Sequence, residues 1–239
     1  MVDFQYASHY TVDDLRRIME ALRAPDGCPW DRAQTHQSLR GCMIEEAYEA
    51  VDAIRILSET GNSENLQEEL GDVLMQVVLH SQIAEEEGLF NLEDVVDGIS
   101  RKMIYRHPHV FGSAQADTPE KVLRSWEELK KKEKGDPAPE EEIAAVPRCL
   151  PALIRTQKIQ KKLEKYYGAF QNDADSFREA REALDALERE NDSAGAGKLA
   201  GSLLLQICNL LRLKGISGEE ALADALENLL KIYEIEDSP

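Results

Sequence analysis

Paired cysteines, aromatic rings and positive charge are all scarce in this 239-residue chain. Its four cysteines, Cys28, Cys42, Cys149 and Cys208, are scattered, with no C-x-x-C pair and no histidines at zinc spacing. That pattern excludes a disulfide framework and a Cys/His zinc site, and fits reduced thiols in the cytoplasm. Aromatic residues are only 6% of the chain, which suits helices better than a β-sandwich. Basic residues number 28 against 46 acidic ones, for a formal charge of -18. Binding a polyanion takes clustered Lys and Arg, so nucleic-acid polymers and anionic membranes are excluded as partners. A small polyphosphate is the exception, because a divalent cation can bridge the like charges. The most apolar stretches, 73–79 and 203–213, are too short or too interrupted for a bilayer. The opening MVDFQYASHY has no apolar run of signal-peptide length. The composition therefore predicts a soluble, cytoplasmic protein with no membrane contact.

Period-two alternation is also missing, whereas helix signals recur, so the predicted fold class is all-α. Hydrophobic residues at 42% and a chain of this length allow one good core or two small ones. Thr11 with Asp14 opens a first helix to about residue 23. Pro25, Gly27 and Pro29 then mark 24–34 as a loop. Long helices are predicted over 36–58, ending near Gly61, and over 63–87, closed by Gly88. Asn91 caps a helix to about Arg106, and Thr118-Pro119-Glu120 starts another to about residue 133. Residues 135–147, rich in Pro, Glu and Ala, read as a linker between domains at 1–134 and 148–239. Beyond it, helices are predicted at 151–165, 174–190, 195–214 and 217–236. The segment from Glu46 to Ile54 matches that from Glu179 to Leu187 at six of nine positions. Gly71, Leu74 and Gln76 then correspond to Gly201, Leu204 and Gln206. The two halves read as one helical unit written twice.

The first long helix carries Glu45-Glu46-x-x-Glu49. At about 100° per residue Glu45 and Glu49 share a face, and Glu46 with Glu49 makes an i, i+3 pair. The second carries Glu69-Leu-Gly-Asp72, another i, i+3 pair. Ile44, Tyr48 and Val51 flank the first set; Leu70, Val73, Leu74 and Val77 flank the second. Antiparallel packing through those apolar stripes sets the acids face to face at the core edge. Gly71 inside a helix costs about 1 kcal/mol relative to alanine, which points to a close helix approach or to room for a ligand. Acidic helical faces are usually solvated surface. Two such sets on successive helices, each beside an apolar stripe, put a hard cation, Mg²⁺ or Mn²⁺, beside that reading as an equal alternative. Such a metal polarises a phosphoryl oxygen and activates water.

These residues resemble the metal motif of the all-α nucleoside triphosphate (NTP) pyrophosphohydrolases, a superfamily that includes MazG, dimeric dUTPases and phosphoribosyl-ATP pyrophosphatase. Several segments resemble the MazG family in particular. They are Gly27-Cys-Pro-Trp-Asp31 with Gln34-Thr-His36, Arg106-His-Pro-His-Val-Phe111, and Pro147-Arg-Cys-Leu-Pro-Ala-Leu153 running into Gln157-Lys-Ile-Gln160. The resemblance implies a MazG-like helical bundle. It also implies hydrolysis of an NTP between its α- and β-phosphates to a nucleoside monophosphate and pyrophosphate, with broad base tolerance, in a homodimer. By the same resemblance Glu46, Glu49, Glu69 and Asp72 are Mg²⁺ ligands. Glu45 orients or deprotonates the attacking water, or holds a further metal. Lys102 and Arg106, with Trp126 and Lys130, fit the family's Lys-x-x-x-Arg and Trp-x-x-x-Lys pairs near the nucleotide. Their i, i+4 spacing puts two cations, or an indole and a cation, on one side of a helix. The alternative for Trp126 is core packing. Trp30 is expected to organise the fold, and His107 and His109 to form a structural turn.

The second repeat departs from this pattern. Arg178 stands at the place of Glu45, and Leu199 and Ser202 replace Glu69 and Asp72. An apolar residue and a hydroxyl cannot serve a hard divalent ion in place of two carboxylates, so the second repeat is expected to be degenerate, structural or dimerising. Two alternatives remain open at this point: a narrower dUTP or phosphoribosyl-ATP pyrophosphatase, and a non-catalytic nucleotide-binding regulator.

Overall fold

The computed structural model describes residues 6–133, 135 and 137–233. Regular structure among them is helical, in agreement with the all-α reading. The chain divides into two compact units, Met1–Leu129 and Lys130–Pro239.

The first unit opens with α1 (Val12–Arg23), whose start follows from a reciprocal capping box between Thr11 and Asp14. The expected loop after it contains a short α2 (Pro29–Ala33), because Pro29 is preset for a first helical turn. The next helix, α3 (Arg40–Thr60), begins later than the sequence suggests. Thr35 and Ser38 exchange side-chain and backbone hydrogen bonds at 3.0 and 3.2 Å, which makes residues 35–38 a separate turn. Gly61 ends α3 at φ +76, a left-handed conformation that glycine adopts without a Cβ penalty. Then come α4 (Glu64–Glu86), α5 (Leu92–Arg106) with an Asn91–Asp94 capping box, the short α6 (Pro108–Phe111) and α7 (Pro119–Glu133).

The core lies where α1 crosses α4. Met19, Val78, Leu79 and Ile83 are buried there with Leu39 and Leu92, and Leu15, Ile18, Leu22 and Met75 pack round them. Each fully buried aliphatic side chain of this kind contributes about 1.5–3 kcal/mol. One polar tie runs through the same junction. Arg23, with a side chain only 6% exposed, holds the Glu86 carboxylate at 2.8 Å. Its guanidinium also donates to the carbonyls of Asp31 and Gln34. That bonding lowers the Glu86 pKa below the ordinary carboxylate value. Arg23 thus fastens α1, the α2 segment and α4 together. The organising role expected of Trp30 falls to Arg23, for Trp30 itself is 61% exposed. Gly27 is required here, because a Cβ would overlap the backbone carbonyls of Ala21 and Leu22.

In the second unit, the segment expected as a linker holds α8 (Pro139–Ala144). Pro139 at the first position and Glu140, Glu141 and Glu142 in the first turn complement a helix N-terminus. The helix is anchored on α9 (Ala152–Tyr167) by Glu142–Lys162 at 2.8 Å and by a Tyr167 hydroxyl donating to Glu140. Next come α10 (Asp173–Arg189), α11 (Ser193–Leu213) and α12 (Gly218–Ile232). The helix predicted to residue 236 ends at Ile232, and its last expected positions lie outside the described residues.

The interior of this unit is unusually polar: Gln160, Ser176, Gln206 and Asn209 are buried beside Val146, Ala183 and Cys208. Each amide has work there. Gln157 donates to the carbonyls of Cys208 and Ile216 and accepts from the Gly218 N–H, stitching α9 to α11 and α12. Gln160 donates to Leu205 O at 2.8 Å, and Asn209 to Ser176 Oγ at 2.8 Å. Among the described residues α11 alone is long and apolar enough to cross a membrane, which the sequence reading did not credit. In this structure it packs along α10 and buries Gln206, Cys208 and Asn209.

Candidate metal centre

The short turn at Gly61 folds α4 back along α3. Ala50 and Ala53, 8% and 1% exposed, form the inner surface of α3. The apolar stripe of α3 expected to join the two helices turns outward, as does half of that on α4, while Val73 and Val77 are half-buried and Val77 packs on the core. Ile44, Tyr48, Val51, Leu70 and Leu74 are all between 39% and 60% exposed. With alanine on the inner face, the larger side chains are left to flank the acids. Gly71 is also not a close-approach glycine, since a Cβ there would meet nothing within 4 Å. Of the two readings of that glycine, open space is the one observed.

At the edge of this hairpin Glu46 and Glu49 from α3 meet Glu69 from α4. One carboxylate oxygen from each lies within 4.8 Å of the others. Glu46 and Glu69 are half-buried and Glu49 is exposed. The Glu49 pKa is raised above 4.5, first by lost hydration and then by the carboxylates of Glu69, Glu46, Glu45 and Asp72. Since Glu49 keeps much of its solvent contact, those four negative neighbours are the informative cause. Glu45 and Asp72 stand outside the tight triad, yet their charges act on it.

Two amides line the acids. Gln76 Nε2 donates to Glu46 Oε1 at 3.3 Å, and Asn65 Nδ2 donates to Glu69 Oε1 at 2.9 Å. Gln76 is 3% exposed, and its own carbonyl oxygen is buried without a hydrogen-bond partner. Sequence reasoning noted Gln76 only as a repeat match and gave Asn65 no role. The available signal was spacing, since Asn65, Glu69, Asp72 and Gln76 recur at i, i+4, i+7 and i+11 on one side of α4.

The donor set suits a hard divalent ion. It offers oxygen only, it is mutually repulsive, and Glu49 leaves it open to solvent on one side. Among the described residues this is the only group of three or more acids, histidines or cysteines with such convergence.

The candidate nucleotide-binding residues are placed as follows. Lys102 is exposed on α5, and Arg106, a turn later, is only 7% exposed. The Arg106 guanidinium lies over the Trp126 ring, 5.1 Å from its centroid. This cation–π contact joins the Lys-x-x-x-Arg segment to α7, where Trp126 and Lys130 are half-buried one turn apart.

The hairpin of α10 and α11 gives an internal contrast. Gln206 Nε2 donates to Glu179 at 2.6 Å, as Gln76 does to Glu46. Arg178, however, sits among the acids of α10, 2.6 Å from Asp175, 3.7 Å from Glu179 and 3.8 Å from Glu182. This hairpin brings its own counter-charge.

The MazG nucleotide pyrophosphohydrolase domain matches residues 34–111, a stretch that contains the whole acidic hairpin. A Thermotoga maritima protein named nucleoside triphosphate pyrophosphohydrolase/pyrophosphatase MazG is 38% identical over 221 residues, covering 92% of this chain and 83% of its own length. The nucleoside triphosphate pyrophosphohydrolase of Escherichia coli K12 is 37% identical over 222 residues, covering 90% and 83%. Bacillus subtilis YabN, an uncharacterized protein, is 46% identical over 153 residues, 64% of this chain and 30% of its own length. With two relatives matched along most of both chains, and the acidic hairpin inside the matched domain, the chain belongs to the MazG nucleotide pyrophosphohydrolase family.

Proposed function

We propose that this chain hydrolyses nucleoside triphosphates at the bond between the α- and β-phosphates. One water is consumed, and a nucleoside monophosphate and diphosphate leave. The observation that carries the reading is the Glu46–Glu49–Glu69 triad, three carboxylates from two helices within 4.8 Å of one another. Together with Asp72 they form a ligand set for Mg²⁺ or Mn²⁺. Bound there, the ion supplies charge neutralisation for the triphosphate and lowers the pKa of a water.

The chain's own groups do the rest. Glu45, a neighbour on the same turn of α3, orients the attacking water and takes its proton on a carboxylate oxygen. Lys102, Arg106 and Lys130 offset charge on the phosphate oxygens, and Trp126 covers the base or ribose. Arg106 also lies over the Trp126 ring and so steadies the indole. Stacking on an indole is indifferent to base edges, which supports broad specificity in clearing non-standard or excess nucleotides.

A homodimer completes the proposal. Ile44, Tyr48, Val51, Leu70 and Leu74 form an exposed apolar surface beside the acids that a second subunit would cover. Four free cysteines support a cytoplasmic setting. The degenerate second repeat, with Arg178 neutralising its acids, serves structure or assembly rather than chemistry. The deciding experiment is product identity. Incubation with an NTP and Mg²⁺ yields monophosphate and diphosphate in equal amounts; diphosphate nucleotide with orthophosphate overturns the mechanism.

A further inference from the structure

Gln76 is costly where it stands. A buried amide that uses its N–H₂ but leaves its carbonyl oxygen without a partner forfeits hydration for one hydrogen bond. Val73 and Leu79, three residues either way on the same side of α4, show that an apolar side chain suits this part of the helix. What Gln76 does gain is Glu46. The two residues are equidistant along the chain from Gly61, so the hairpin sets them opposite each other.

The second hairpin shows which part of the pattern goes with which carboxylate. Glu179 is retained there, and so is its amide, Gln206. In the register that pairs Gly71 with Gly201, Glu69 becomes Leu199 and Asn65 becomes Gly195, so that carboxylate and its amide are lost together. Each amide goes with its own acid.

Resting on the metal-site reading above, we infer that Gln76 is a positioning residue for Glu46. By occupying Oε1, it fixes the carboxylate so that Oε2 is the oxygen presented to the cation. An amide is suited to this task. Its N–H₂ bonds a carboxylate without adding charge, and hydrogen bonds to ligating carboxylates hold them in their binding orientation. In the second hairpin the same clasp joins α10 to α11 without a ligand set to serve, so its contribution there is to the hairpin alone.

The pair of clasps provides the test. Mn²⁺ binding to the full-length protein is measured by electron paramagnetic resonance, beside thermal unfolding, for the wild type, Gln76→Met and Gln206→Met. Methionine keeps the length and removes the donor. The inference expects Gln76→Met to weaken Mn²⁺ binding by about 10- to 100-fold, with helical content retained and the metal-free melting temperature held or raised. Gln206→Met leaves Mn²⁺ affinity within about twofold of the wild type, since it touches no ligand set. Equal Mn²⁺ affinity in Gln76→Met and wild type overturns the inference. Equal weakening in both variants also overturns it, because the clasp would then be acting through general stability. Absence of Mn²⁺ binding by the wild type is a different failure, that of the metal-site reading itself.

Discussion

Removing one carboxylate from the triad should change stability in opposite directions with and without a divalent cation. Glu49 is the position to use, because four other acids act on it and no amide hydrogen bond to it is seen among the described residues. In chelator-treated protein, Glu49→Gln removes a charge held against Glu69, Glu46, Glu45 and Asp72, so the first unit melts at the wild-type temperature or above it. Saturating cation reverses the order. A ligand at 100 times its Kd stabilises the folded state by about 2.7 kcal/mol. The first unit, Met1–Leu129, has an unfolding entropy of about 0.27 kcal/mol/K, taking about 2.1 cal/mol/K per residue. The expected rise is therefore about 10 °C for the wild type, and Glu49→Gln should lose most of it. Calorimetry in chelator and in Mg²⁺ resolves this. A Mg²⁺ shift equal in wild type and Glu49→Gln refutes the reasoning. So does a metal-free variant less stable than the parent. The pH dependence has a sign of its own. A raised folded pKa makes the Glu49 contribution most favourable below 4.5, and it is lost as pH rises through the folded value.

Glu142 behaves oppositely. Its hydrogen bond to Lys162 pulls its pKa down from 4.5 to about 2, so its stabilisation is present above pH 4.5 and is lost as the pH falls toward 2. Allowing for partial exposure, Glu142→Gln should cost about 1–2 kcal/mol at pH 7 and flatten the acid limb of a denaturation series. His80 sits below 6.5 because of burial and then the His36 ring, whose Nδ1 is 2.8 Å from its own. Its contribution is present above 6.5 and lost as pH falls through the depressed value, so His80→Gln should narrow the difference in urea midpoint between pH 7.5 and 5.5. Gln157→Leu strands the Gly218 N–H and the carbonyls of Cys208 and Ile216. It should cost about 2–4 kcal/mol in chemical denaturation of the second unit, and a loss below about 0.5 kcal/mol would refute that accounting.

The helices were legible because their ends carry chemistry. Thr11–Asp14 forms the box that its spacing implies, Asn91 caps α5, and Gly61 takes the left-handed turn. The convergence of Glu46, Glu49 and Glu69 was legible because their spacing on two successive helices left them one common edge. What failed was the inference from apolar stripe to interior. Ile44, Tyr48 and Val51 were read as the α3–α4 seam, yet Ala50 and Ala53 form it, because short side chains let two helices come close. Composition also misled at 135–147, where proline and glutamate read as a linker but also describe a helix start, Pro139 followed by three acids. Gln76 keeps step with Asn65, Glu69 and Asp72 along α4, but that spacing does not say that its amide faces a carboxylate thirty residues upstream.

The tie made by Arg23 bears on how small a working version of this protein can be. The family domain match starts at residue 34, after α1 and α2 have ended. Cutting there would strip Met19 from its place against α4 and leave the Glu86 carboxylate without its guanidinium. A fragment trimmed to the family boundary would therefore keep every proposed metal ligand and lose the floor that α4 stands on. Keeping that floor means starting a fragment ahead of Thr11, whose capping box opens α1.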